Sequence, residues 1–100
     1  MTDTFDTLIE KVTEWADDRN LLDQDPRSQM LKVMEEVGET ASALAKLNED
    51  ALKDGIGDTF VTLIILAAQC EMDPTECLQA AYNEIKNRKG KTVNGTFQKE

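Results

Sequence analysis

The sequence predicts a single all-α domain of four helices, and three observations carry that expectation. Apolar residues recur at three- and four-residue steps along most of the chain. No stretch alternates for long with the period of two that marks a strand. Each of the two prolines directly follows an aspartate, at Asp25-Pro26 and Asp73-Pro74, the pattern of a capped helix start. One hundred residues suffice for one domain and no more, taken as residues 1–100.

The first helix is expected from residue 5 to about residue 20, where Phe5, Leu8, Ile9, Val12, Trp15 and Ala16 form one stripe. Residues 21–25 connect it to a second helix, which starts at Pro26 and runs to about residue 47. Its expected apolar face is Met30, Val33, Met34, Val37, Ala41 and Leu44. Residues 48–50 turn the chain. The third helix, with Leu52, Ile56, Phe60, Val61, Leu63, Ile64, Ile65 and Leu66, is apolar nearly all round and should lie at the centre. Asp73, Pro74 and Glu76 announce the fourth, which should run to about residue 88, with Gly90 as its stop. The tail from Lys91 to Glu100 is polar, with isolated Val93 and Phe97, and is expected to be disordered or folded over a neighbouring surface.

Composition excludes several functions. The net charge is −9, from 20 acidic and 11 basic residues, which argues against a nucleic-acid duplex as partner. A small phosphorylated ligand stays open, because a metal ion reverses local charge. There is no histidine, so histidine-based zinc sites and Ser-His or Cys-His nucleophiles are absent. Cys70 and Cys77 match neither a CxxC nor a zinc spacing and read as reduced core residues of a cytoplasmic protein. The first ten residues lack the basic start and apolar stretch of a signal peptide. The longest apolar run, near Phe60–Ala68, is far short of the roughly 20 residues that span a bilayer, so no membrane partner is expected.

Three groups of residues could carry chemistry. Glu35, Glu36 and Glu39 should fan over one side of the second helix, opposite its apolar stripe. They read either as a solvated acidic face or as cation ligands. Asp54 and Asp58 share a face of the third helix. Asp58 leads into the apolar run and so should be partly buried, where a carboxylate needs a partner. Gly38 and Gly57, each beside an acid, would allow the two helices to approach closely or leave room for a ligand. Carboxylates on facing helices suit a hard ion such as Mg²⁺ or Mn²⁺. The third group, Lys86, Arg88, Lys89 and Lys91, reads as cations at a helix C-terminus or as a clamp for phosphate.

Taken together, these residues resemble the all-α nucleotide pyrophosphohydrolases, the group of MazG, dimeric dUTPase, dCTP pyrophosphatase and phosphoribosyl-ATP pyrophosphohydrolase. The pattern is EExxE followed by an acid leading to Gly-Asp. Here it reads Glu35-Glu36-Val37-Gly38-Glu39 and then Asp54-Gly55-Ile56-Gly57-Asp58. Residues 14–19 and 81–91 look like those of short MazG-like proteins of bacteria and phages. The resemblance implies a Mg²⁺-dependent cut of a nucleoside triphosphate into monophosphate and pyrophosphate, in nucleotide-pool cleaning. It places a carboxylate metal site between helices two and three. Glu36, Glu39 and Asp58 would bind Mg²⁺. Glu35 would bind a second ion or orient the attacking water, and Asp54 would complete the set. Asn83, Lys86, Arg88 and Lys89 would hold phosphate oxygens. Trp15 would stack on the base, unless it is a core residue, and Gln29 and Lys32 are further candidates on the ligand side. A chain this short would borrow walls from a partner subunit, as a homodimer or homotetramer. One departure stands out: the usual second motif has Glu three residues before Asp, and here that position is Gly55. Asp54 would then replace the Glu, and Gly55→Glu would test whether activity is impaired. Two other readings follow from the same residues, a phosphoribosyl-ATP-cleaving relative and a helical regulator that binds nucleotide or metal without hydrolysis.

Overall fold

Four helices form where caps and prolines place them. The computed structural model describes residues 2–100. It contains α1 (Phe5–Asp17), α2 (Pro26–Ala45), α3 (Glu49–Gln69) and α4 (Pro74–Ile85), followed by a hairpin of β1 (Gly90–Val93) and β2 (Thr96–Lys99). The side chains of Thr4, Asp25, Asn48 and Asp73 accept hydrogen bonds from the first-turn amides of Thr7, Arg27, Ala51 and Thr75. Helices α1, α2 and α3 end alike. Asn20, Leu47 and Glu71 take φ of 60°, 53° and 57°, and the following amide reaches back five residues to the carbonyls of Ala16, Ala43 and Ala67. These left-handed turns stop α1 and α2 two to three residues before the expected positions.

Helix α3 is central, as expected: α2 lies along it, and α1 and α4 pack on it. Its buried residues are Gly55, Thr62, Ile64 and Ile65; those of the helices packed on it are Ala16 of α1 and Val33, Glu36 and Ala43 of α2.

Three expectations need correction. The inward face of α2 is Gln29, Val33, Glu36, Thr40 and Ala43, spaced by three and four, and not the apolar stripe. Of that stripe only Val33 is buried, while Met30, Met34, Val37 and Leu44 are exposed. The two faces lie side by side on the helix, and the one carrying Glu36 faces inward. Second, the tail is ordered as an antiparallel hairpin. Val93 pairs with Thr96 across Asn94-Gly95, whose φ values of 51° and 85° make the two-residue turn that this dipeptide favours. Every residue of both strands is exposed. Third, Cys70 and Cys77 are free thiols but exposed, and not core.

The close approach of α2 and α3 occurs at Gly55, not at Gly38 or Gly57. A Cβ on Gly55 would stand 2.5 Å from Thr40 Oγ1 and 3.1 Å from Thr40 Cα, whereas Gly38 and Gly57 have open space around them. Position 55 therefore faces the neighbouring helix, and a glutamate there would collide with α2 rather than restore a ligand.

The two glycines should separate cleanly on substitution. Gly55→Ala is expected to lower unfolding free energy by about 1–3 kcal/mol through overpacking, and Gly57→Ala to raise it by about 0.5–1 kcal/mol through helix propensity. Denaturant melts of both variants check this; equal effects would refute the contact.

Candidate functional site

A cleft of about 600 Å³ opens between α1, α2 and α3 and the connection joining α1 to α2. Trp15 comes from α1, Lys32 and Glu36 from α2, and Asp58, Thr62 and Gln69 from α3. Five residues singled out in the sequence, Trp15, Gln29, Lys32, Glu36 and Asp58, thus line one space. Trp15 is 47% exposed, so it is not a core residue. The Arg19 guanidinium sits 4.2 Å from the centre of its ring, and Arg19 Nη1 donates to the Trp15 carbonyl at 2.9 Å.

Glu36 is the buried acid of this cleft, at 7% exposure. Lys32 Nζ lies 3.5 Å from Glu36 Oε1 and 3.5 Å from Glu35 Oε2, forming one weak bridge to both. Glu36 Oε2 is buried and finds no hydrogen-bond partner among the described residues. A buried carboxylate oxygen without a donor is costly, roughly 1–3 kcal/mol or more for a charged group.

The neighbouring acids feel Glu36. The Glu39 carboxyl is held above its ordinary value chiefly by the charge of Glu36, then by burial and by Glu35. Asp58 is pushed up first by burial, then by the charges of Asp54 and Glu36, with Lys32 opposing. Lys32 is raised, chiefly by Glu35. Glu36, Glu39, Asp54 and Asp58 therefore make one electrostatically coupled group across α2 and α3. Among the described residues no three carboxylates already stand in a ligating arrangement. The donor set is all oxygen, the chemistry of a hard divalent ion.

Other expected residues lie elsewhere. Glu35 and Glu39 are exposed on α2 outside the cleft lining, and Asp54 lines a separate depression beside α1 together with Asp58. Asn83 is exposed on α4 and accepts from Gln79 Nε2 at 3.0 Å. Lys86 caps α4, and Arg88 and Lys89 follow it; none of these four lines the cleft. Sequence reasoning missed Gln69. Its helical spacing from Thr62 and Ile65 places it on the inward face, a signal legible only once that face is known.

The family model of the MazG nucleotide pyrophosphohydrolase domain matches residues 24–93. The chain belongs to the MazG family. The uncharacterized 18.2 kDa protein of the rep-hol intergenic region of Haemophilus phage HP1 (strain HP1c1) is 49% identical to it over 67 residues, 66% of this chain. That match spans 41% of the phage protein's length. No solved structure matches the chain. The MazG match begins at Gln24, in the connection before α2, so it takes in Glu36 and Asp58 and leaves Trp15 outside.

The coupled acids of this MazG domain should show in its pH dependence. Glu39 and Asp58 are raised above 4.5 and 3.8, so the folded chain binds their protons more readily than the unfolded chain. Their contribution to stability therefore rises as pH falls through the raised values and is lost as pH rises. Without divalent ions, the change in melting temperature between pH 7 and pH 5 should be smaller in Glu36→Gln than in the parent, since Glu36 contributes to both shifts. An unchanged pH profile in the variant would contradict the coupling.

Proposed function

We propose that this MazG-family chain hydrolyses a nucleoside triphosphate, ribo or deoxy, to the monophosphate and pyrophosphate, with Mg²⁺ or Mn²⁺ as cofactor. The observation that carries the reading is Glu36: a buried carboxylate with an unpartnered oxygen, coupled to acids of two helices, in a cleft that also holds an accessible tryptophan. Family membership supplies the general activity, and the cleft supplies a place for it.

Glu36, Glu39 and Asp58 would hold the ion, with Asp54 beside Asp58 and Glu35 as ligand to a second ion or orienter of water. Bound there, the ion supplies charge neutralisation for phosphates and a more acidic water. Lys32 bridges Glu36 Oε1 and Glu35 Oε2 and sets a positive charge beside these acids. Burial of Glu36 fixes its orientation, so the direction of its lone pairs is preset by the fold. Trp15 offers the base a stacking surface at the other side of the cleft. Asn83, Lys86, Arg88 and Lys89 are kept as phosphate contacts only through a second copy of the chain, since within one chain they do not border the cleft.

A homodimer or homotetramer fits the apolar surface. Leu31, Met34, Leu44 and Leu47 of α2 and its C-terminal turn, and Leu78, Tyr82 and Ile85 of α4, are all more than half exposed. The radius of gyration is 15.7 Å, against about 13 Å for a compact chain of this length. A nucleotide-pool enzyme of this kind works in the cytoplasm, and among the described residues no helix is long and apolar enough to cross a membrane.

Incubation with Mg²⁺ and each common nucleoside triphosphate should release pyrophosphate and one monophosphate. Glu36→Ala should reduce the rate by more than about 100-fold. Diphosphate with free phosphate would refute the proposed bond, and tight binding without turnover would turn the reading to a non-catalytic nucleotide binder. Sedimentation equilibrium should give two or four times the chain mass; a monomer at micromolar concentration would remove the assembly and with it the role of the basic residues.

A further inference from the structure

The cleft holds a second buried atom without a partner. Gln69 lines it near Trp15 and Leu21, and its Nε2 donates to the Leu21 carbonyl at 2.9 Å. A carbonyl only accepts, so the reversed amide would set two acceptors against each other; the orientation is determined by chemistry. The side-chain oxygen Oε1 is thereby turned away from Leu21, is buried, and has no donor among the described residues. Gln29, across the cleft, also gives its Nε2 to a main-chain carbonyl, that of Thr62, at 3.1 Å.

Neither the metal chemistry nor the packing uses Gln69 Oε1. A buried acceptor on a ligand-sized cleft is satisfied by a donor that the ligand brings. Oε1 is closed to a water-sized group as the side chain stands, so a donor reaches it only where the bound ligand parts the cleft wall, and that group must project from the ligand's edge. An exocyclic amino group on a nucleobase projects and donates. An oxo group at the same place would set lone pairs against lone pairs.

We propose that Gln69 is the base-reading residue of the cleft, accepting a hydrogen bond from the exocyclic amino group of a base stacked at Trp15. The cleft then prefers an amino base to its oxo counterpart, cytosine over uracil or adenine over hypoxanthine. The proposal rests on the reading of this cleft as the nucleotide site. It assigns the metal end to Glu36 and Asp58 and the specificity end to Gln69 and Trp15.

The test measures binding rather than turnover. Calorimetric titration with Mg²⁺ and the α,β-imido analogues of CTP, UTP, ATP and ITP gives dissociation constants for two pairs that differ only in amino against oxo. The amino member of at least one pair should bind about 10- to 100-fold tighter. Gln69→Leu should erase that ratio by weakening the amino member. A residue that merely tethers the connection through Leu21 would weaken both members of each pair alike in Gln69→Leu and leave the ratio unchanged. Binding with no amino preference, or a preference that survives Gln69→Leu, overturns the assignment of Gln69 and leaves the nucleotide site standing. No binding of any analogue overturns both.

Discussion

The contact between α2 and α3 at Gly55 and Thr40 governs the rest of the molecule. Only a residue without Cβ lets the two helices come this close. Thr40 completes the contact by donating its hydroxyl to the Glu36 carbonyl at 2.7 Å, while Thr59 donates to the Gly55 carbonyl at 2.8 Å. Both hydroxyls are thereby satisfied within their own helices in a half-buried seam. Because α2 rolls onto α3 along this seam, the face that turns inward carries Gln29, Val33, Glu36 and Ala43. Glu36 is buried as a consequence of where the helices touch.

That placement runs against local stability. An acid at a core position loses hydration and gains only a 3.5 Å contact to Lys32, and its charge raises the affinity of Glu39 and Asp58 for protons. A leucine at position 36 would satisfy packing better. Sites that bind cations are built from such unfavourable arrangements, because the repulsion stored between carboxylates is released when positive charge enters. Gln69 follows the same logic in neutral form, with an acceptor kept from water and from protein donors alike.

Much of the fold was legible in the sequence. Asp25-Pro26 and Asp73-Pro74 marked two helix starts, and the apolar character of α3 marked the centre. The hairpin was legible too: Asn94-Gly95 between Thr92-Val93 and Thr96-Phe97 carries the strongest short-range turn signal, but isolated apolar residues among polar ones made the segment look unstructured. The inward face of α2 was not legible. Periodicity reports that a helix has an apolar side, not which of two neighbouring sides packs within the same chain. Met30, Met34, Val37 and Leu44 satisfied the period and yet face outward. Of the cleft lining, Glu36 and Asp58 were singled out by residue type and spacing, and Trp15, Gln29 and Lys32 through the family resemblance; the structure sets all five around one cleft. Gln69, more than 30 residues from Glu36, carries no motif, and only the packing of α3 against the connection after α1 gives it meaning.

The outward stripe of α2 changes how the small size of the chain is understood. A chain of this length buries few side chains; among the described residues no large one is completely enclosed, and α4 has no buried residue at all. The hairpin adds two strands exposed throughout, and a two-stranded hairpin alone is marginal in water. The apolar residues are therefore not deficient in number but distributed over two faces, one packed within the chain and one exposed. On this view the acidic cleft and the basic segment after α4 are separate in one chain for the same reason. The carboxylates need a tight seam, which α2 and α3 build unaided, whereas the basic segment follows α4, which packs on α3 with no buried residue of its own. Within one chain the basic segment after α4 lies outside the cleft lined by Glu36 and Asp58, so these cations do not pair with the cleft acids.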